Sequence, residues 1–203
     1  MADLPIDLEA GLADRLVRIL DVEAKIPRAL EALGPISERD VALLDGGDGV
    51  RARQLEQLGG RVTSVASTGR AGIAAPDASA DVLVTMWGAF TGATGDEAAE
   101  AARVVRPGGR LLVLLDYGRD DIARMRGDRP EYGVLSRRNG PLLGRGFKVR
   151  VLHCFWTFTS VDEARPFLAE VFGAAGRKVA SEMKRPRLSY NVAVYHRTLG
   201  APA

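Results

Sequence analysis

The sequence holds one cysteine, Cys154, and two histidines, His153 and His196. A single thiol excludes an intrachain disulfide framework. One thiol and two imidazoles also leave no zinc-finger spacing, so no metal site is expected. Lysine is scarce: arginine outnumbers it 24 to 4, and alanine is abundant. That bias is of the kind a GC-rich genome imposes and carries no functional reading. No apolar run approaches the roughly 18–20 residues of a membrane helix. The N-terminus, MADLPIDLEA, is acidic and lacks the basic-then-apolar pattern of a signal peptide. A cytoplasmic protein that makes no membrane contact is the expectation.

What is present is an ordinary globular composition, 46% apolar and 27% charged over 203 residues. That length fits one domain, or one domain with a small helical appendage. The net charge of +2 hides an asymmetry. Residues 1–100 carry nine basic against seventeen acidic side chains, and residues 101–203 carry nineteen against nine. A basic half suits nucleic acid or an anionic substrate. Its arginines are scattered, so neutralisation between the two halves is the preferred reading and nucleic acid is not favoured.

Residues 5–33 read as a helix pair. Leu8, Leu12, Leu16, Ile19 and Leu20 recur at steps of three and four, and Ile26, Leu30 and Leu33 continue the pattern. Asp21 is a candidate cap for the second helix, which Gly34-Pro35 stops. VALLD (41–45) then runs into a glycine-rich turn, a periodic segment (RARQLEQL) and a second strand (RVTSVAS). This strand–turn–helix–strand order opens a doubly wound α/β sheet. Further strands are expected at 81–87, 110–117, 148–158 and 188–198, with helices at 96–105, 119–127 and 161–173. RLLVLLDY is unbroken in its apolar stretch, as suits a buried parallel strand. Residues 128–146 read as a loop rich in Arg and Gly. The expected domains are a helical addition over 1–35 and an α/β unit over 36–203, with an antiparallel pair at the C-terminal edge.

Asp45-Gly46-Gly47-Asp48-Gly49 lies where the first strand ends, the place where open α/β sheets bind ligands. Glycines there let the backbone turn sharply and approach a ligand. VALLDGGDGVRARQLEQLGGRVTSV resembles the first motif of class I S-adenosylmethionine-dependent methyltransferases, a strand ending in Asp/Glu-x-Gly-x-Gly. PDASADVLVTMWGAF resembles that family's fourth-strand region, and EAARVVRPGGRLLVLLDYG its helix–RPGG–fifth-strand motif. The resemblance covers roughly residues 36–198. It implies a Rossmann-like, mostly parallel sheet, S-adenosylmethionine as cofactor and a small-molecule or macromolecular methyl acceptor. It puts Asp45, Gly46, Gly47 and Gly49 beside the cofactor's methionine part. Thr85, Met86 and Trp87 would line its sulfonium end, where an aromatic ring suits a cation.

Three departures from the family's pattern stand out. Arg51 occupies the place of a third loop glycine. Ala66, flanked by Ser67 and Thr68, stands where an acid usually holds the ribose hydroxyls, and a neutral hydroxyl holds a diol less strongly. Only about nine residues separate Ala66 from Pro76, too few for the usual helix and strand. The sheet is therefore expected to be one strand short. The adenine side of the pocket is then open, rebuilt from Asp77 or the N-terminal helices, or lost. A dinucleotide fingerprint is also legible at Gly47, Gly49 and Ala52, but the acid it needs about 20 residues on is absent.

Asp116 and Tyr117 end a strand on the expected active rim. Either is a candidate to orient an acceptor, and Asp116 to act as a base; the competing reading of Asp116 is a cap for the helix at 119–126. His153 is expected beside Val149, Val151 and Phe155, half-buried, with Cys154 a core thiol on the opposite face. Arg126, Arg129, Arg137, Arg138, Arg145 and Tyr132 follow the rim and suit an anionic substrate or remain solvated. Two functions compete: a methyltransferase acting on an unidentified acceptor, or a methyltransferase-fold protein that has lost its cofactor and serves as a binding or scaffold protein, self-association included.

Overall fold

The structure is a computed structural model that describes residues 4–46, 49–127 and 130–200. Its chain order is α1 (Ala10–Ile19), α2 (Lys25–Leu33), β1 (Asp40–Leu44), α3 (Val50–Gln57) and β2 (Arg61–Val65). A two-residue hairpin follows, β3 (Ser67–Thr68) and β4 (Gly72–Ile73), then β5 (Ala80–Met86), α4 (Gly95–Val104) and β6 (Val105–Asp116). The remainder is α5 (Asp121–Arg126), α6 (Pro130–Leu135), β7 (Lys148–Thr157), α7 (Val161–Glu182) and β8 (Arg187–Thr198).

Six strands form one sheet in the order β2-β1-β5-β6-β8-β7. The first three pairings are parallel, and β8 runs antiparallel to both β6 and β7. This is the expected mostly parallel sheet with an antiparallel C-terminal edge. Between β2 and β5 stands only the small hairpin, so β2 is an edge with β1 as its one partner. The central strands are buried on both faces, which is why they read as continuous apolar runs: Val41 to Leu44, Val82 to Met86 and Leu111 to Leu114 are all buried.

One face packs Leu16, Leu30, Trp156, Phe167 and Leu168 into a core with the sheet, so α1 and α2 share that core rather than sitting outside it. The other face packs Phe90, Ala101, Val104, Phe147 and Tyr195. The capping box of α4, Thr94 with Glu97, closes its first turn. Asp21 does the same for α2: its carboxylate accepts from the Lys25 and Ile26 amides at 3.0 and 2.7 Å. Asp21→Ala is expected to cost about 1–2 kcal/mol by removing that cap, measured by urea denaturation. A loss under half a kcal/mol would mean that water replaces the carboxylate.

Two expectations need correction. The helix expected to stop at 173 resumes and reaches Glu182, with a kink where Gly173 adopts φ 57°, ψ −125°. A glycine tolerates that conformation, and alanine, lysine and valine after it restart the helix. Residues 128–146 are not a plain loop: they include α6 and a 3-10 turn at Leu143–Arg145. Pro130 is the first residue of α6, where its missing N–H costs nothing.

Candidate functional site

Leu44 pairs with Thr85, and Met86 pairs with Leu114. That register brings Asp45, Trp87 and Asp116 to the carboxyl ends of three adjacent strands. Asp45 and Trp87 both adopt a left-handed backbone, with φ 52° and 51°. Non-glycine residues pay about 1–2 kcal/mol there, so both turns are held by their surroundings. The Asp45 amide donates to Val65 O at 2.8 Å, and its carboxylate accepts from the Ser67 amide at 2.8 Å. Asp45 thus fastens the end of β2 to the end of β1. Gly46 is buried and Gly49 caps α3 with φ 80°. Gly47 and Asp48 lie outside the described residues, as does Arg129.

Asp116 is the hub of the rim. Its Oδ1 accepts from the Trp87 indole N–H at 3.0 Å and from the Tyr190 hydroxyl, and its Oδ2 accepts from the Arg126 guanidinium. The ion pair is almost wholly buried, with each side chain 11% exposed. Burial and the neighbouring Asp116 charge push the Tyr190 phenol well above its usual range, so it stays a donor. Arg51 lies in the first turn of α3, is buried, and holds its guanidinium 5.2 Å from the Trp87 ring centroid. It also donates to Gln54 Oε1 at 2.7 Å.

The other named residues fall around this cluster or away from it. Thr85 and Met86 are buried within β5, and Thr85 Oγ1 donates to Phe90 O at 3.3 Å. Ala66 is exposed, and its carbonyl closes the hairpin by accepting from Ala74 N at 2.9 Å. Tyr117 is half-buried, with the Arg119 guanidinium 5.9 Å from its ring centroid. Asp77 does not join the rim. It precedes β5 at the opposite end of the sheet and pairs with Arg103 at 2.6 Å.

Asp116 does not cap the following helix. Asp120 does, accepting from Ala123 N at 2.7 Å. His153 is exposed rather than half-buried, on the face of β7 opposite Cys154 and Trp156, its Nδ1 2.9 Å from Asn191 Oδ1. Cys154 is buried, and its thiol is pushed up to about 12, first by burial and then by the Asp21 charge. Such a thiol is no nucleophile at neutral pH. Among the described residues, no group of His, Cys, Asp and Glu is placed to hold a metal ion. No helix among them is long and apolar enough to cross a membrane.

Sequence reasoning missed Tyr190 and the seat of Arg51. Tyr190 reaches Asp116 only because β8 inserts between β6 and β7. A large cationic side chain in a glycine position was the available signal for Arg51.

No family model matches the chain, and no curated protein matches it. Solved structures do match. A proposed type II methyltransferase from Anaeromyxobacter dehalogenans is 19% identical, with a TM-score of 0.53 over 88% of this chain and 96% of its own. A chain of the complex between the Haloferax volcanii Trm112 methyltransferase activator and its proposed methyltransferase partner is 15% identical, with a TM-score of 0.52 over 95% and 93%. A proposed antibiotic-pathway methyltransferase from Anabaena variabilis is 12% identical, with a TM-score of 0.50 over 88% and 98%. The chain therefore has the fold of class I S-adenosylmethionine-dependent methyltransferases.

Proposed function

We propose that this chain keeps the methyltransferase fold as a non-catalytic binding or scaffold protein and does not hold S-adenosylmethionine. The observation that carries the reading is the seat of Arg51. The family resemblance gives the Trp87 region to the cofactor's sulfonium. A sulfonium is a cation and is stabilised by an open aromatic face or by free acceptors. The half-buried Trp87 ring already carries the buried Arg51 guanidinium at 5.2 Å. The indole N–H is spent on Asp116, and Asp116 is itself engaged by Tyr190 and Arg126. A second cation brought to that ring finds its face already taken by a guanidinium.

Two further observations support the same reading. The end of β2 offers an exposed alanine and a hairpin in place of a carboxylate for the ribose diol. Asp77, the candidate replacement, is tied to Arg103 at the far end of the sheet. One oxygen of the Asp45 carboxylate is likewise taken by the Ser67 amide. The residues present do not fit the cofactor, and no methyl-transfer step is derived for them.

The competing reading, methyl transfer to an unidentified acceptor, draws on Asp45 and Gly49 at the head of α3. Calorimetric titration of S-adenosylmethionine and S-adenosylhomocysteine separates the two. The expected result is no heat and no thermal shift at millimolar ligand. Micromolar binding that Asp45→Ala weakens would overturn the proposal and move the search to the acceptor.

A further inference from the structure

A part of the basic excess of the second half of the chain stands at the end of the sheet opposite the candidate site. There β6 and β7 begin and β8 finishes. Arg110 pairs with Thr198, Leu112 with His196, and Lys148 with His196. Directly opposed residues share a sheet face, and so do alternate residues along a strand. Arg110, Thr198, His196 and Lys148 therefore stand on one face, although 38 to 88 positions separate β6 from the other two strands' contributions. With Arg197 and Gly146 they line a cavity of about 240 Å³. A neighbouring cavity of about 330 Å³ shares Arg110 and adds Arg39, Gly108, Gly109 and the Arg106–Asp81 ion pair.

Among the described residues, no carboxylate lines the first cavity. Elsewhere arginines are tied to acids: Arg61 to Asp40, Arg103 to Glu100 and Asp77, Arg106 to Asp40 and Asp81. Among the described residues, no ion pair engages Arg110, Lys148 or Arg197. Arg110 is instead positioned by a neutral group, donating to Thr198 Oγ1 at 2.6 Å. His196 is half-buried among these cations. Its imidazole is held below the usual histidine value, first by burial and then by the charges of Arg110 and Lys148. Two fixed cations, Arg110 and Lys148, and an imidazole on one face of the sheet repel one another until an anion sits between them. Guanidinium forks and an ammonium suit tetrahedral oxyanions in particular.

We propose that the cavity formed by Arg110, Lys148 and His196 binds a phosphate group. It lies at the other end of the sheet from Asp116 and owes nothing to the cofactor question. The phosphate comes from one of two sources, a small phosphorylated molecule or a nucleic-acid backbone.

With two histidines in the chain, proton NMR resolves His196 directly, and His153→Gln assigns it. The probe is inorganic phosphate, titrated against sodium chloride of matched ionic strength. Phosphate is expected to raise the His196 midpoint by about one pH unit and to saturate. The His153 midpoint is expected to stay put. Lys148 is exposed, so Lys148→Gln should fold normally and weaken the phosphate effect about tenfold. An equal response to chloride, or a Lys148→Gln variant with unchanged phosphate response, would overturn the site. A single-stranded oligonucleotide then identifies the source. Displacement of phosphate at far lower concentration, with a steep salt dependence, assigns the site to a backbone. Phosphate binding that the oligonucleotide leaves untouched assigns it to a small molecule.

Discussion

Asp116→Ala is expected to destabilise the protein by about 3–5 kcal/mol, the cost of breaking a buried ion pair from one side. Three donors lose their acceptor at once: the Trp87 indole, the Tyr190 hydroxyl and the Arg126 guanidinium. Arg126 matters most, because its side chain is 11% exposed and keeps its charge. The two neutral donors account for part of that loss where no water reaches them. For a chain of this length the midpoint should fall on the order of 10 °C. Asp116→Asn keeps the shape and one carbonyl acceptor, so it should fall between wild type and alanine. Urea denaturation followed by far-ultraviolet circular dichroism measures both. A loss below 1 kcal/mol for the alanine variant would mean that the pocket rehydrates and that the hub is a surface feature.

Trp156→Ala should cost about as much for a different reason. Trp156 is 0% exposed and packs against Phe167, Phe172 and Tyr190 with ring centroids 5.8–6.1 Å apart. Truncation removes its transfer energy and leaves a cavity, about 3–5 kcal/mol in total. Its Nε1, however, is buried without a hydrogen-bond partner. Phenylalanine there loses ring volume but also sheds an unsatisfied donor, and a buried orphan N–H itself costs about 1–3 kcal/mol. Trp156→Phe is therefore expected within about 1.5 kcal/mol of wild type. Equal losses for the two variants would show that shape, and not area, governs this core.

The sheet was legible because its central strands are buried on both faces and so carry unbroken apolar runs. The alternation that separates Cys154 from His153 was legible for the complementary reason, one core face against one more exposed face. Ala66 and the short span to Pro76 likewise announced the missing strand. The rim was less legible, because its chemistry depends on crossovers. Nothing local ties Tyr190 to Asp116, 74 positions away, until β8 is placed beside β6. Arg126 reads as one of several loop arginines until α5 folds it back onto the end of β6. Asp77 is different, since its place followed from topology alone. A residue three positions before a parallel strand lies at that strand's amino end, away from any ligand at the carboxyl rim.

The bare outer side of β2 sets how the molecule breathes. Its side chains are exposed or half-exposed along its whole length, and its one hydrogen-bonded neighbour is β1. Opening that edge exposes little apolar surface, whereas opening β5 or β6 exposes both cores. Amide exchange should therefore be graded across the sheet, fast at β2 and limited by global unfolding at β5 and β6. A protein built this way loosens from one side first, with β2 detaching while β1, β5, β6 and the antiparallel end stay folded.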